Sequence, residues 1–319
     1  MKPFIGITIG DPAGIGPEIA LKAALSPQAR KLCKPLLIGP RDIWEQAAKS
    51  LGQSLKGLEI HDIYCERYSL VPGKTSSQSG GIAARSVIAG ALLALDGQIS
   101  ALATAPISKS ALHQAGYKQP GHTELLAEIC GVNQFAMMFA AGCCKLTLAT
   151  IHLPYAAVPK TLTPAMIKEK IILTADALKS WWRIKRPVIA VLGLNPHAGE
   201  DGLFGSEEKR IILPGIKSAR NCGCRLLGPL SAEAAFDLAR QGQVHALIAM
   251  YHDQGLLPLK ALGGAVNITL GLPFVRTSPD HGTALDIAWQ NRADHKPMLN
   301  ALSLASELSG RNQKKYSTG

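Results

Sequence analysis

Short apolar runs that break directly into polar loops recur along this chain, and no other feature constrains its fold as much. Residues 4–9 run into Gly10-Asp11-Pro12-Ala13-Gly14-Ile15-Gly16-Pro17-Glu18, residues 99–103 into Thr104-Ala105-Pro106-Ile107-Ser108-Lys109, and residues 145–151 into His152-Leu153-Pro154. Residues 188–193 lead to Leu194-Asn195-Pro196-His197, and residues 246–250 to Tyr251-His252-Asp253-Gln254-Gly255. Runs of this kind read as strands, and open α/β sheets bind ligands at the carboxyl ends of their strands. Between them the periodicity predicts helices, an Ala-rich one over 82–95 and an amphipathic one from Thr163-Pro164 to about Trp182. Strands over 135–140 and 145–151 flank Ala141-Gly142-Cys143-Cys144 at hairpin spacing, so the sheet is mixed there. A chain of 319 residues is too long for one simple core and is expected to form two lobes.

Two strand–loop–helix junctions carry open readings. The loop over 10–18 is neither GxGxxG nor a P-loop. A ligand loop and a plain turn, with Asp11 as its structural carboxylate, both fit it. Gly121-His122-Thr123-Glu124 opens a helix over 124–129, where outward N–H groups suit an anion. The simplest role for Thr123 there is an N-cap.

His152, His197 and His252 each follow an apolar strand directly or within a few residues. One such histidine is commonly a loop residue. Three at the ends of separate strands point to a divalent ion, because neutral imidazoles hold borderline metals and three leave positions open for substrate. Asp253 is placed to orient a ligand or to act as a base. His122 and His281 are alternatives that the sequence alone does not rank. Lys260, Asn267 and Arg276 follow, then Asp280-His281-Gly282-Thr283-Ala284 and Asp286. So many ligand, base and phosphate-binding groups after one strand point to chemistry more than packing.

The net charge of +11 fits an anionic ligand or nucleic acid. Aromatics are only 5% and the basic residues are dispersed, apart from a run at 311–315, so no nucleic-acid partner is expected. The seven cysteines form no CxxC pair and read as thiols of a reducing cytoplasm. The N-terminus does not read as a signal peptide and no uninterrupted apolar run is long enough for a membrane span, so a cytoplasmic protein with no membrane partner is expected.

The segments GDPAGIGPEI, TAPISKSAL, GHTELLAE, HLPYAAVP, LNPHAGEDGLFGSEE, MYHDQGLLPLK and VNITLGLPFVRTSPDHGTALDIA together resemble the 4-hydroxythreonine-4-phosphate dehydrogenase (PdxA) family over residues 10–288. The resemblance implies an α/β fold similar to isocitrate and isopropylmalate dehydrogenases: two α/β/α lobes with mixed sheets and a cleft between them. One lobe would comprise 1–128 and 285–319; the other, over 129–284, would carry most metal ligands and the dimer contacts. It implies NAD- or NADP-dependent oxidation of 4-phosphooxy-L-threonine, assisted by a divalent ion such as zinc, magnesium or cobalt. The β-keto acid product would decarboxylate to 3-amino-2-oxopropyl phosphate, in pyridoxal 5'-phosphate biosynthesis. By matching motif, the metal ligands would be His152, His197 and His252, and the substrate would be held by His122, Thr123, Lys260, Asn267 and Arg276. His281, Gly282, Thr283, Ala284 and Asp286 would bind the cofactor, with Asp286 receiving its ribose hydroxyls. Lys260 and Asp253 are the candidates for proton transfer, and a homodimer would complete each site across its interface. Only Ala-Leu-Gly-Gly-Ala-Val separates Lys260 from Asn267, where many relatives carry a longer Gly-Phe-containing segment. Oxidation of phosphorylated threonate or erythronate is therefore the alternative, and an acyl- or phosphoryl-transferase on a similar scaffold a more remote one.

Overall fold

The computed structural model describes residues 2–65, 68–261 and 263–310. The basic run at 311–315 and Leu262 of the short linker lie outside the described residues. The strands in chain order are β1 (Phe4–Thr8), β2 (Lys34–Ile38), β3 (Glu59–His61), β4 (Ala101–Thr104), β5 (Ala136–Ala141), β6 (Cys144–Leu148), β7 (Val188–Leu192), β8 (Arg225–Leu230), β9 (Ala246–Ala249), β10 (Val266–Leu270) and β11 (Val275–Pro279). The chain divides into two compact units, 1–133 with 272–319, and 134–271.

In the first unit the strand order is β3-β2-β1-β4-β11, parallel at every pairing. The chain returns to this unit at 272, ahead of the sequence-based boundary at 285, because β11 pairs with β4, Arg276 opposite Leu102. Residues 272–284, with Arg276 and His281, thus belong to the first unit. Its Ala-rich helix Ser77–Leu95 is started by a capping box in which Ser76 Oγ accepts the Ser79 N–H at 3.1 Å. By length and composition this helix is apolar enough to cross a membrane, yet 61% of the qualifying window is buried inside the protein. Its Val87, Ala91 and Leu93 pack on Ile38, Ile99 and Leu102, which makes it a core helix.

In the second unit the order is β10-β5-β6-β9-β7-β8. The β10–β5 and β5–β6 pairs are antiparallel and the rest parallel, so the mixture predicted for both sheets is confined to this unit. Side chains alternate along its central strands. Ile189, Val191, Ala246 and Ile248 enter one core with Ile167, Ile171 and Leu178 of the helix Pro164–Ser180. Ala190, Leu192, Leu247 and Ala249 enter another with Ala235 and Ala239 of the helix Ala232–Arg240. Both faces are covered, which is why these strands read as unbroken apolar runs. The pattern did not reveal β8, whose Gly228-Pro229 reads as a turn; its place at the end of the sheet order tolerates a proline there.

The stretch after β9, expected as a polar loop, is the helix His252–Ala261. Gly255 and Pro258 disfavour a helix by propensity, but packing decides: a Cβ at Gly255 would lie 2.5 Å from Leu146 Cδ2.

Candidate active site

The first unit gathers anion-receptive groups from three elements. Arg276 on β11 is buried, and its Nε and Nη2 donate to Thr104 Oγ1 at the end of β4, at 3.1 and 2.7 Å. Burial pulls the guanidinium down to about 9, while the Glu124 charge supports it, so it remains a cation at neutral pH. The helix His122–Ile129 lies near enough for the Arg276 charge to act on His122 and Glu124, and has Gly121 rather than Thr123 at its N-cap. Thr123 is therefore inside the first turn, and no side chain caps the helix, so its first N–H groups are available to an anion. His122 Nε2 is buried and has no hydrogen-bond partner among the described residues. Burial, reinforced by the Arg276 charge, holds this imidazole well below the usual histidine pKa. A buried guanidinium and a neutral imidazole with an unsatisfied nitrogen form a site that an acceptor-rich anion would complete.

The 281–286 segment of the same unit is largely open to solvent: His281, Gly282 and Asp286 are exposed. Ala284 adopts left-handed backbone angles (φ 41°, ψ 59°) ahead of the short turn Leu285–Ile287 that carries Asp286.

In the second unit, His152 follows β6 and His252 opens the helix after β9, with ring centroids 5.8 Å apart. His252 Nδ1 lies 2.6 Å from Asp253 Oδ1, and Tyr155 Oη donates to Asp253 Oδ2 at 2.5 Å. The Tyr155 and His252 contacts hold the Asp253 carboxyl below the usual carboxylate range, with a further contribution from the Lys260 charge. Both carboxylate oxygens are thus engaged, and His252 is turned to present Nε2.

His197 stands in a different setting. Residues 197–201 all have positive φ, four of them not glycine (His197 φ 52°, Ala198 54°, Glu200 39°, Asp201 52°). Such backbone costs free energy and persists only where its surroundings impose it. Glu208, buried, braces the chain just ahead of this turn: it accepts the N–H groups of Leu194 and Asn195 at 2.8 Å and Asn195 Nδ2 at 3.0 Å. Gln254 ties the two strand ends together, accepting from Met250 N and donating to Gly193 O, each at 2.7 Å. His197 itself is exposed, its ring 6.2 Å from that of Phe204. Among the described residues no group of three or more His, Cys, Asp or Glu stands ready to hold a metal ion. One chain brings His152 and His252 together and leaves His197 apart.

Lys260 is exposed in the last turn of its helix, and Asn267 lies on β10 with its Oδ1 buried and unpaired among the described residues. Sequence reasoning did not single out Thr104, Tyr155, Gln254 or Glu208 as site residues. Each acts through a residue distant in the chain, and no local pattern signals that.

The sequence pattern of the pyridoxal phosphate biosynthetic protein PdxA matches residues 31–305. The chain is 42% identical over 326 residues to a 4-hydroxythreonine-4-phosphate dehydrogenase of Geobacter metallireducens, covering 97% of this chain and 96% of that protein. It is 40% identical over 324 residues to a D-threonate 4-phosphate dehydrogenase of Salmonella typhimurium, covering 96% and 98%. A crystal structure of 4-hydroxythreonine-4-phosphate dehydrogenase from Klebsiella pneumoniae superposes with a TM-score of 0.89 at 37% identity, covering 97% and 98% of the two chains. Similar along nearly its whole length in sequence and in backbone, and carrying anion-receptive groups and a histidine pair, the chain belongs to the PdxA family of dehydrogenases.

Proposed function

We propose that the chain oxidises 4-phosphooxy-L-threonine in pyridoxal 5'-phosphate biosynthesis. The observation that carries this reading is the buried Arg276 with the half-buried His122, a cation shielded from water and an imidazole whose Nε2 is closed off from solvent, which together suit a phosphate. Arg276, His122 and Thr123 bind that group, and the family resemblance assigns Lys260 and Asn267 to the substrate as well. The substrate alcohol loses a hydride and a proton, and the β-keto acid then loses CO2 to leave 3-amino-2-oxopropyl phosphate. His281–Asp286 would hold a nicotinamide, NAD or NADP, which would supply the hydride acceptor, and a divalent ion such as zinc, magnesium or cobalt would supply Lewis acidity. With both oxygens of Asp253 already engaged, we assign Asp253 to orienting His252 and the proton transfer to Lys260.

The pair His152 and His252, with Asp253 behind the second ring, fits two ligands of such an ion. We assign the third to His197 of a second copy in a homodimer. The exposure of Leu153, Tyr155, Leu203, Phe204 and Leu257, flanking the three histidines in sequence, supports that partner. Seven free cysteines and the absence of any disulfide support a cytoplasmic location.

A second reading, D-threonate 4-phosphate as substrate, has the Salmonella typhimurium relative and the short linker after Lys260 in its favour. One assay tests both: NADH or NADPH formation by metal-replete protein with each substrate, before and after chelation. No reduced nicotinamide from either substrate would overturn the proposal. Activity that survives complete metal removal would overturn the histidine assignment alone.

A further inference from the structure

The glycine loop over 10–18, open in sequence between turn and ligand loop, takes no place in the site described so far. Every residue from Ile5 to Ala20 is buried, and the backbone groups of the loop are taken up by the protein itself. Its backbone grips the segment that follows Thr283. Ile15 N–H donates to Thr283 O at 3.0 Å, and Trp289 Nε1 donates to Pro12 O at 2.8 Å. Gly73 N–H donates to Ala13 O at 2.8 Å, while Asp11 Oδ1 accepts the Ala13 N–H at 2.9 Å and shapes the turn.

The gripped segment needs such support. Ala284, Trp289 and Asn291 all hold left-handed angles, with φ of 41°, 61° and 58°. Side-chain-bearing residues keep that conformation only when the surroundings over-determine it. Two glycines make the close approach possible. A Cβ at Gly14 would lie 2.7 Å from Thr283 O and 2.9 Å from Thr283 Cβ, and one at Gly73, where φ is +78°, would lie 2.9 Å from Leu285 O. Backbone oxygens cannot swing aside as a side chain can, so a methyl group at either position must displace the segment.

We propose that Gly14 is a positioning residue for the dinucleotide: the 10–18 loop is the mould that holds 283–289 in its cofactor-receiving shape. This rests on the reading of His281–Asp286 as the cofactor segment. The inference gives Gly14 a role other than a phosphate cradle: it admits Thr283, while Gly10 admits the 105–106 backbone and Gly16 lies against Ile9 O.

The test is titration calorimetry of the purified protein with NAD, NADP and, separately, inorganic phosphate. Gly14→Ala is expected to weaken dinucleotide binding by about tenfold or more, the scale of a small misplacement at a site, and to leave phosphate affinity unchanged. Trp289→Phe removes the indole N–H but keeps the ring, and is expected to weaken dinucleotide binding in the same direction; it carries the test if Gly14→Ala does not fold. Asp286→Ala is the control for the underlying reading. If Asp286→Ala weakens dinucleotide binding while Gly14→Ala and Trp289→Phe do not, the mould is refuted. If Gly14→Ala weakens phosphate as much as dinucleotide, the effect is general distortion and the proposal is likewise overturned. If Asp286→Ala binds dinucleotide like the parent protein, the cofactor reading fails and the mould falls with it.

Discussion

Thr104→Val isolates what holds the buried guanidinium in place. The two side chains are nearly the same shape, so the change opens no cavity and removes only a hydroxyl. That hydroxyl accepts from both Nε and Nη2 of Arg276, at 3.1 and 2.7 Å, in a fully buried setting. A buried hydrogen bond to a charged group contributes about 1.5–3 kcal/mol, and two sharing one acceptor fall short of additive, so a loss of about 2–4 kcal/mol is expected. In urea this appears as a lower midpoint with an unchanged slope. Without the Thr104 acceptor, Arg276 also presents a less defined face to the substrate phosphate, so KM for the phosphorylated substrate is expected to rise about tenfold, equivalent to about 1.4 kcal/mol. KM for the nicotinamide should stay as it was. Thr104→Ser keeps the acceptor and should restore most of both losses. A Val variant with the parent's midpoint and the parent's substrate KM would refute the reasoning. A variant that loses stability but keeps KM would confine Arg276 to a structural role.

Two further perturbations address the second unit. Burial raises the Glu208 carboxyl, but the hydrogen bonds from Asn195 and Leu194 outweigh it, and its pKa is lowered in the folded protein. Its contribution to stability is therefore present above the unfolded value of about 4.3 and is lost as pH falls through the folded value. Glu208→Gln should cost about 1–3 kcal/mol at pH 7 and progressively less in acid, read from urea midpoints across a pH series; equal stability at pH 7 would refute the stabilising role of the Glu208 hydrogen bonds. Leu203→Asp places a charge on the exposed apolar residue next to Phe204. Sedimentation should show a shift toward monomer, accompanied by loss of bound metal; a variant that stays dimeric and metal-loaded would remove this surface from the interface.

Much of the architecture was legible because it is local. Apolar runs covered on both faces mark β1, β4, β6, β7 and β9, and Thr163-Pro164 marks the start of the helix Pro164–Ser180, where Thr163 Oγ1 accepts the Met166 N–H at 3.1 Å. The histidines at strand ends stood out for the same reason. Where local signals conflicted with packing, packing prevailed: Gly255 and Pro258 lie inside a helix, and β8 contains a Gly-Pro step. The unit boundary moved from 285 to 272 because strand pairing, which spans distant residues, decides where β11 belongs.

Sequence alone determined that strands, helices and ligand-type residues alternate along this chain, since periodicity of two or 3.6 residues and the residue types at strand ends are local properties. The tertiary structure decided which of those residues meet. It set Arg276 on Thr104, 172 positions earlier, and Trp289 on Pro12, 277 positions earlier. It brought His252 to His152 and left His197 apart on a strained turn. Contacts at such separations depend on strand order and close packing, which no window of sequence contains, and they turn a list of candidate residues into a set of anion-receptive groups, a histidine pair and a shaped loop.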